Sequence, residues 1–175
     1  MGPLKNIFLS ALFLVTGFVF SQEEETIDWS SERKLQWEDF KGRPFKTAWA
    51  AAVTASGITY EFSSVEEAGN LQLDIEISTH FYPAESWFQP GLVNGVILSH
   101  EQLHFDISEL FARKMRERVA ETTFTKNVKA EIKQIYKDIL KELSAFQKKY
   151  DYETNFSRNF EKQLQWNQDI LDALQ

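Results

Sequence analysis

The chain has 175 residues, no cysteine, three histidines and a formal net charge of −7, with 43% of its residues hydrophobic. An acidic chain lacks the basic excess that holds phosphates through counterion release, so nucleic acid is not an expected partner. Without cysteine there is no disulfide, thiolate zinc site or iron–sulfur cluster, and a metal would have to be held by His, Asp or Glu; the aromatic and aliphatic content, 15 Phe among it, excludes a disordered chain.

At the start, Lys5 precedes an apolar stretch from Ile7 to Phe20, followed by Ser21 and the acidic run Gln22 to Glu25. A spanning helix needs about 20 apolar residues, and this stretch is shorter, with Gly17 inside it. It reads as a secretory signal peptide, residues 1–21, cut after Ser21, with an uncleaved anchor as the alternative. The expected mature protein, residues 22–175, is one domain without stable membrane insertion. Its expected place is outside the cytoplasm, secreted or periplasmic.

Residues 27–47 carry Trp29, Leu35, Trp37 and Phe40 among polar residues and end at Gly42 and Pro44, which predicts an irregular arm pinned by aromatic anchors. Residues 49–63 alternate loosely and form a first strand, with Gly57 marking a bulge or bend. From Leu71 to Ile77 the alternation is clean: Leu71, Leu73, Ile75 and Ile77 share one face, and Gln72, Asp74 and Glu76 the other. This second strand pairs with the first across Ala68-Gly69-Asn70.

Beyond Pro83 and Pro90-Gly91 the period becomes helical. Val93, Val96, Ile97, His100, Leu103, His104, Ile107, Phe111 and Met115 form a first helix that runs out near Thr122-Thr123. A second follows with Val128, Ile132, Ile135, Ile139, Leu143, Phe146 and Tyr150 as its stripe. A third, capped by Ser157 or Asn159, is expected to bury Phe160, Leu164, Trp166, Ile170, Leu171 and Leu174. The expected class is α+β: a small antiparallel sheet in a strand-rich part, residues 27–88, then three helices in residues 90–175.

Chemistry concentrates at His100-Glu101-Gln102-Leu103-His104, a His-Glu-x-x-His motif on the first long helix. At about 100° per residue the two histidines lie one turn apart on the same face, where both imidazoles can share a tetrahedral metal. Glu101 lies about 100° round from His100, poorly placed as a ligand and well placed as a general base beside an activated water. The bland alternative is a pair of core-edge histidines bonded to carbonyls or carboxylates. Asp106 and Glu109 point away from His104, toward partners such as Arg113 or Lys114 or toward the solvent side. The third ligand must come from another element.

The order Leu35-x-Trp37-x-Asp39-Phe40-x-Gly42, Ser56-Gly57-Ile58, Ser86-Trp87, His100-Glu101-Gln102-x-His104-Phe105-Asp106-Ile107 and Tyr150-Asp151-x-Glu153-Thr154 resembles the bacterial domain-of-unknown-function 922 family, whose members look like secreted zinc peptidases. The resemblance runs from about Trp29 to Trp166. It implies a zincin-like fold, Zn2+ on His100 and His104, Glu101 as base and a polypeptide substrate. The family pattern places a histidine two residues beyond the threonine of the last segment; this chain has Phe156 there. Either another residue supplies the third ligand or the site is weak, which keeps open a catalytically degenerate binding or scaffold domain.

Several residues could substitute. Glu153 and Asp151 sit beside the expected position, with Glu153 slightly preferred. His80 falls by strict alternation on the polar face of its strand and would need a twist to reach the helices. Glu142 and Glu131 border the buried stripe of the second helix. Tyr150, Tyr152 and Arg158 lie close in sequence to this segment and are candidates for stabilising an oxyanion.

Overall fold

The computed structural model describes residues 25–44, 50–67 and 70–175. The signal-peptide reading lies outside the described residues, as do the end of the arm and the first two residues of the hairpin turn. The described residues form a small antiparallel sheet followed by three helices, an α+β fold.

Strand β1 (Ile27–Asp28) leads into the arm, whose single 3₁₀ turn spans Trp37–Asp39. Strand β2 (Ala52–Val53) precedes the long hairpin of β3 (Ser56–Glu67) and β4 (Asn70–Phe81), and β5 (Trp87–Phe88) follows. The hairpin register runs without a slip from Ser56 opposite Phe81 to Glu67 opposite Asn70. Strand β1 pairs with the far end of β4, giving the order β1-β4-β3, while β2 and β5 form a separate two-stranded ribbon.

The regular register corrects the expectation of a bulge at Gly57. That glycine pairs squarely with His80, and a Cβ there would meet the Tyr82 ring at 3.2 Å. Glycine here leaves room for the close approach of a ring rather than making a bend. The strand is interrupted instead between β2 and β3, where the Ser86 hydroxyl accepts from the Ala55 amide at 2.9 Å.

The helices are α1 (Gly95–Ala120), α2 (Val128–Thr154) and α3 (Phe160–Ala173). Asn94 starts α1 by accepting from the amides of Val96 and Ile97, a cap of the kind that contributes about 1 kcal/mol. Helix α1 is the centre of the molecule. Ile107, Phe111 and Met115 pack with Ile58 and Ile77 of the sheet, Ile132 and Ile139 of α2, and Trp166 and Ile170 of α3. A second cluster, Leu35, Phe40, Phe81 and Phe105, fastens the arm to α1 and β4. Helix α2 returns antiparallel to α1, since Arg118 meets Glu142 while Tyr150 reaches the His100 carbonyl.

Two other expectations change. In α3 the buried residues are Gln163, Trp166 and Ile170, whereas Phe160, Leu164 and Leu171 are each more than half exposed. The helix is turned so that its polar Gln163 meets α1 and its apolar edge faces outward. Asp106 and Glu109 are buried rather than on a solvent side, while the expected pairing with Arg113 is present for Glu109. Asp106 accepts from the Trp29 indole at 2.7 Å and pairs with Lys34, while Glu109 pairs with Arg113 and Arg116 and accepts from Thr79. Each carboxylate is neutralised and hydrogen-bonded, as buried charge requires. No helix among the described residues is long and apolar enough to cross a membrane.

Candidate metal centre

The helical repeat of α1 puts His100 and His104 on one face, and the packing of α1 buries that face. His100 is 4% and Glu101 5% exposed. The two imidazoles lie 4.9 Å apart, nearly perpendicular, above Tyr150 of α2. Its ring stacks on His100 at 4.5 Å and meets His104 edge-on at 5.0 Å. Tyr150 fixes the depth at which both rings sit.

The residue after Tyr150 completes the group. Asp151 Oδ1 lies 3.2 Å from His100 Nε2 and 3.0 Å from His104 Nε2. One donor atom from each of the three residues falls within 4.8 Å of the others, and no other such set of His, Cys, Asp or Glu occurs among the described residues. The donor set of two imidazoles and a carboxylate suits zinc, which takes three protein ligands and keeps an open position in hydrolytic sites.

The candidates ranked for the third position are elsewhere. Glu153 accepts from the Trp166 indole at 2.9 Å and faces Lys149. It is two residues beyond Asp151, about 200° round the helix, so the two cannot share a face. His80 binds Asp28 and Thr59 on the outer face of the sheet, where strand alternation put it. Glu142 pairs with Arg118, and Glu131 accepts from Thr125. Asp151 was legible only as one of two acids beside the expected position.

Charge within the group is strongly coupled. Burial opposes the Asp151 carboxylate, but hydrogen bonds and positive charge from His100 and His104 in their protonated form overcome it and hold its pKa below the usual carboxylate range. Burial likewise opposes protonation of His104; the Asp151 hydrogen bond, with the charges of Glu101 and Asp151, outweighs it and raises the His104 pKa. Burial pushes the Tyr150 phenol up, so that hydroxyl stays neutral.

Glu101 lines the same cleft as His100, His104 and Asp151, a space of about 540 Å³ bounded by residues 50–54, Ile97, Phe156 and Arg158. Thr54 donates to the Glu101 carbonyl at 3.1 Å, fastening the β2 wall to α1. Among the described residues the Glu101 carboxylate makes no hydrogen bond, and its charge is felt at His104. Of the three oxyanion candidates, Arg158 lies on the cleft. Tyr150 is engaged with Gln163 and the His100 carbonyl, and Tyr152 is 84% exposed.

Helix α2 ends in three consecutive non-glycine residues with positive φ, Asn155 at 48°, Phe156 at 51° and Ser157 at 68°. The Phe156 amide donates to the Asp151 carbonyl at 2.9 Å, so this turn is tied to the ligand-bearing turn. It brings Phe156, 48% exposed, to the cleft wall. Left-handed runs of ordinary residues are costly and cluster at functional sites.

Sequence reasoning missed Gln163. Its Oε1 is 2.9 Å from His100 Nδ1, and its amide donates to Tyr150 Oη and Asn167 Oδ1. The available signal was a polar residue in register with Trp166 and Ile170, one turn and two turns along. No curated protein and no solved structure matches the chain. Residues 93–158, which hold α1, α2, His100, Glu101, His104, Asp151 and Phe156, match the model of a family described as bacterial protein of unknown function (DUF922).

Proposed function

We propose that this chain is a zinc-dependent hydrolase acting on polypeptides outside the cytoplasm, with a zincin-like arrangement of its site. The observation that carries the reading is the convergence of His100 Nε2 and His104 Nε2 on Asp151 Oδ1 in a cleft that Glu101 also lines. His100, His104 and Asp151 would hold the metal. Bound zinc supplies Lewis acidity that polarises a carbonyl and acidifies water. Glu101 accepts the proton from a water attacking in the cleft and returns it to the leaving nitrogen. Its position on the motif helix, one residue from a ligand, keeps it close without making it a ligand. Arg158 at the cleft adds a positive charge near developing oxyanions.

The segment from Lys5 to Ser21 supports an extracytoplasmic location. A second reading, a degenerate binding or scaffold domain, is favoured by Phe156 on the cleft wall where the resemblance calls for a histidine. Asp151 answers that observation, because it supplies a third donor without position 156. The test is metal content and hydrolysis of denatured protein by the wild type and by Glu101→Gln. One equivalent of zinc in both, with hydrolysis only in the wild type, supports the enzyme. Absence of stoichiometric zinc and of hydrolysis in both leaves the scaffold.

A further inference from the structure

A neutral imidazole carries one proton for two nitrogens, and only the nitrogen without it can offer a lone pair to a metal. For His100 the choice lies between Nε2, facing Asp151 at 3.2 Å, and Nδ1, facing Gln163 at 2.9 Å. Asp151 alone would draw the proton to Nε2 and spoil the ligand. Something must hold it on the other side.

Gln163 is 1% exposed, so its amide must be filled by protein partners. The two amide hydrogens are taken by Tyr150 Oη at 2.7 Å and Asn167 Oδ1 at 2.9 Å. Asn167 in turn donates from Nδ2 to Ser99 Oγ at 2.9 Å. With both amide hydrogens committed, Oε1 is the atom turned to His100, and an oxygen can only accept. The single Tyr150 hydroxyl hydrogen is shared between that same oxygen at 3.0 Å and the His100 carbonyl at 3.2 Å. Reversing the whole chain would place an N–H against Nδ1 and force the proton onto Nε2.

We infer that Ser99, Asn167 and Gln163 form a tautomer clamp that keeps the proton of His100 on Nδ1 and its Nε2 lone pair directed into the cleft. The inference rests on the proposed metal site for its purpose, though not for its geometry. It makes Gln163 and Asn167 positioning residues and gives α3 a role beyond packing. It accounts for the rotation of α3, which buries a glutamine while leaving Phe160, Leu164 and Leu171 outside. Partners of this kind on a ligand histidine typically change metal affinity about 10- to 100-fold.

The experiment is long-range 15N–1H correlation of the metal-free full chain, at a pH where the imidazoles are neutral, beside zinc titration against a competing chelator. Wild-type His100 is expected as the Nδ1–H tautomer. Gln163→Leu should mix the tautomers and weaken zinc about 10- to 100-fold; Gln163→Glu, which keeps an acceptor at that place, should restore both. Asn167→Ala, at a half-buried position, should shift the tautomer in the same direction if the glutamine variant does not fold. An Nε2–H wild type overturns the clamp outright. So does an Nδ1–H wild type whose tautomer and zinc affinity survive both Gln163→Leu and Asn167→Ala. If the wild type binds no zinc, the proposed function fails, while the tautomer measurement still decides the clamp.

Discussion

The carboxylate of Asp151 meets the imidazole of His104 at 3.0 Å across 47 residues of chain, joining the motif on α1 to the last turn of α2. If that carboxylate is the third ligand, Asp151→Asn should weaken zinc by more than the roughly 10- to 100-fold typical of an outer partner. Glu153→Ala, Glu142→Ala and His80→Ala should leave the affinity unchanged, because those side chains are engaged elsewhere. Competition with a chromophoric chelator measures all four; a large loss in Glu153→Ala alone would reassign the ligand.

The same contact makes the metal-free protein sensitive to pH. His104 has a raised pKa in the folded state, so its contribution is complete below about pH 6.5, its unfolded value, and fades as pH rises through the folded value. Asp151 has a lowered pKa, so its contribution is present above about pH 3.9 and is lost as pH falls through the folded value. Between those limits both contributions hold. Unfolding in urea with excess chelator should therefore show stability falling above this window, and His104→Gln should remove that fall. Zinc binding has the opposite sign, strengthening as pH rises and His104 gives up its proton.

Much of the architecture was legible because burial wrote it as period. Leu71, Leu73, Ile75 and Ile77 alternate, and Ile132, Ile139 and Leu143 recur at helical spacing. The His-Glu-x-x-His pattern put His100 and His104 on one face by helix geometry alone. What escaped is rotational phase between helices. Whether Asp151 or Glu153 faces α1 depends on Tyr150 being the residue driven fully inside, and a stripe of alternating acids and aromatics does not settle that. In α3 the apolar count favoured Phe160, Leu164 and Leu171, but hydrogen bonding of Gln163 to His100 turned the helix the other way. Buried polar pairing across elements leaves no periodic trace.

The turn after α2 gives a prediction on stability. Ser157 has φ of 68°, a region open to glycine at little cost. Ser157→Gly should stabilise the fold by about 0.5–1 kcal/mol, the relief of left-handed strain exceeding glycine's extra freedom in the unfolded chain. Chemical denaturation with unchanged slope would register it. A destabilised variant would mean the Ser157 side chain contributes more than its backbone costs.

Position 156 tests what a phenylalanine does where the resemblance calls for a histidine. Phe156 lines the cleft beside the three donors and offers no donor atom of its own side chain, so Phe156→Ala should leave zinc affinity as it is and raise KM for apolar polypeptide substrates. A drop in zinc affinity in this variant would show that the ring shields the metal group rather than the substrate.

Glu101→Gln separates the enzyme from the scaffold by two independent readings. The amide keeps the shape of the side chain but cannot accept a proton, so hydrolysis should fall by about 10²- to 10⁴-fold, the range expected for loss of a general base. Zinc content should stay the same, because the ligand set does not include position 101. The second reading does not require activity. The charge of Glu101 helps raise the His104 pKa, so removing it must lower that pKa in the metal-free protein, and NMR titration of the His104 ring can follow the change. A lowered His104 pKa with lost hydrolysis places Glu101 in the cleft and in the reaction. A lowered pKa with hydrolysis intact would put Glu101 beside the site while assigning the proton transfer to another group. An unchanged pKa would mean that the carboxylate does not face the histidines in solution, and the role of base would have to be withdrawn from it.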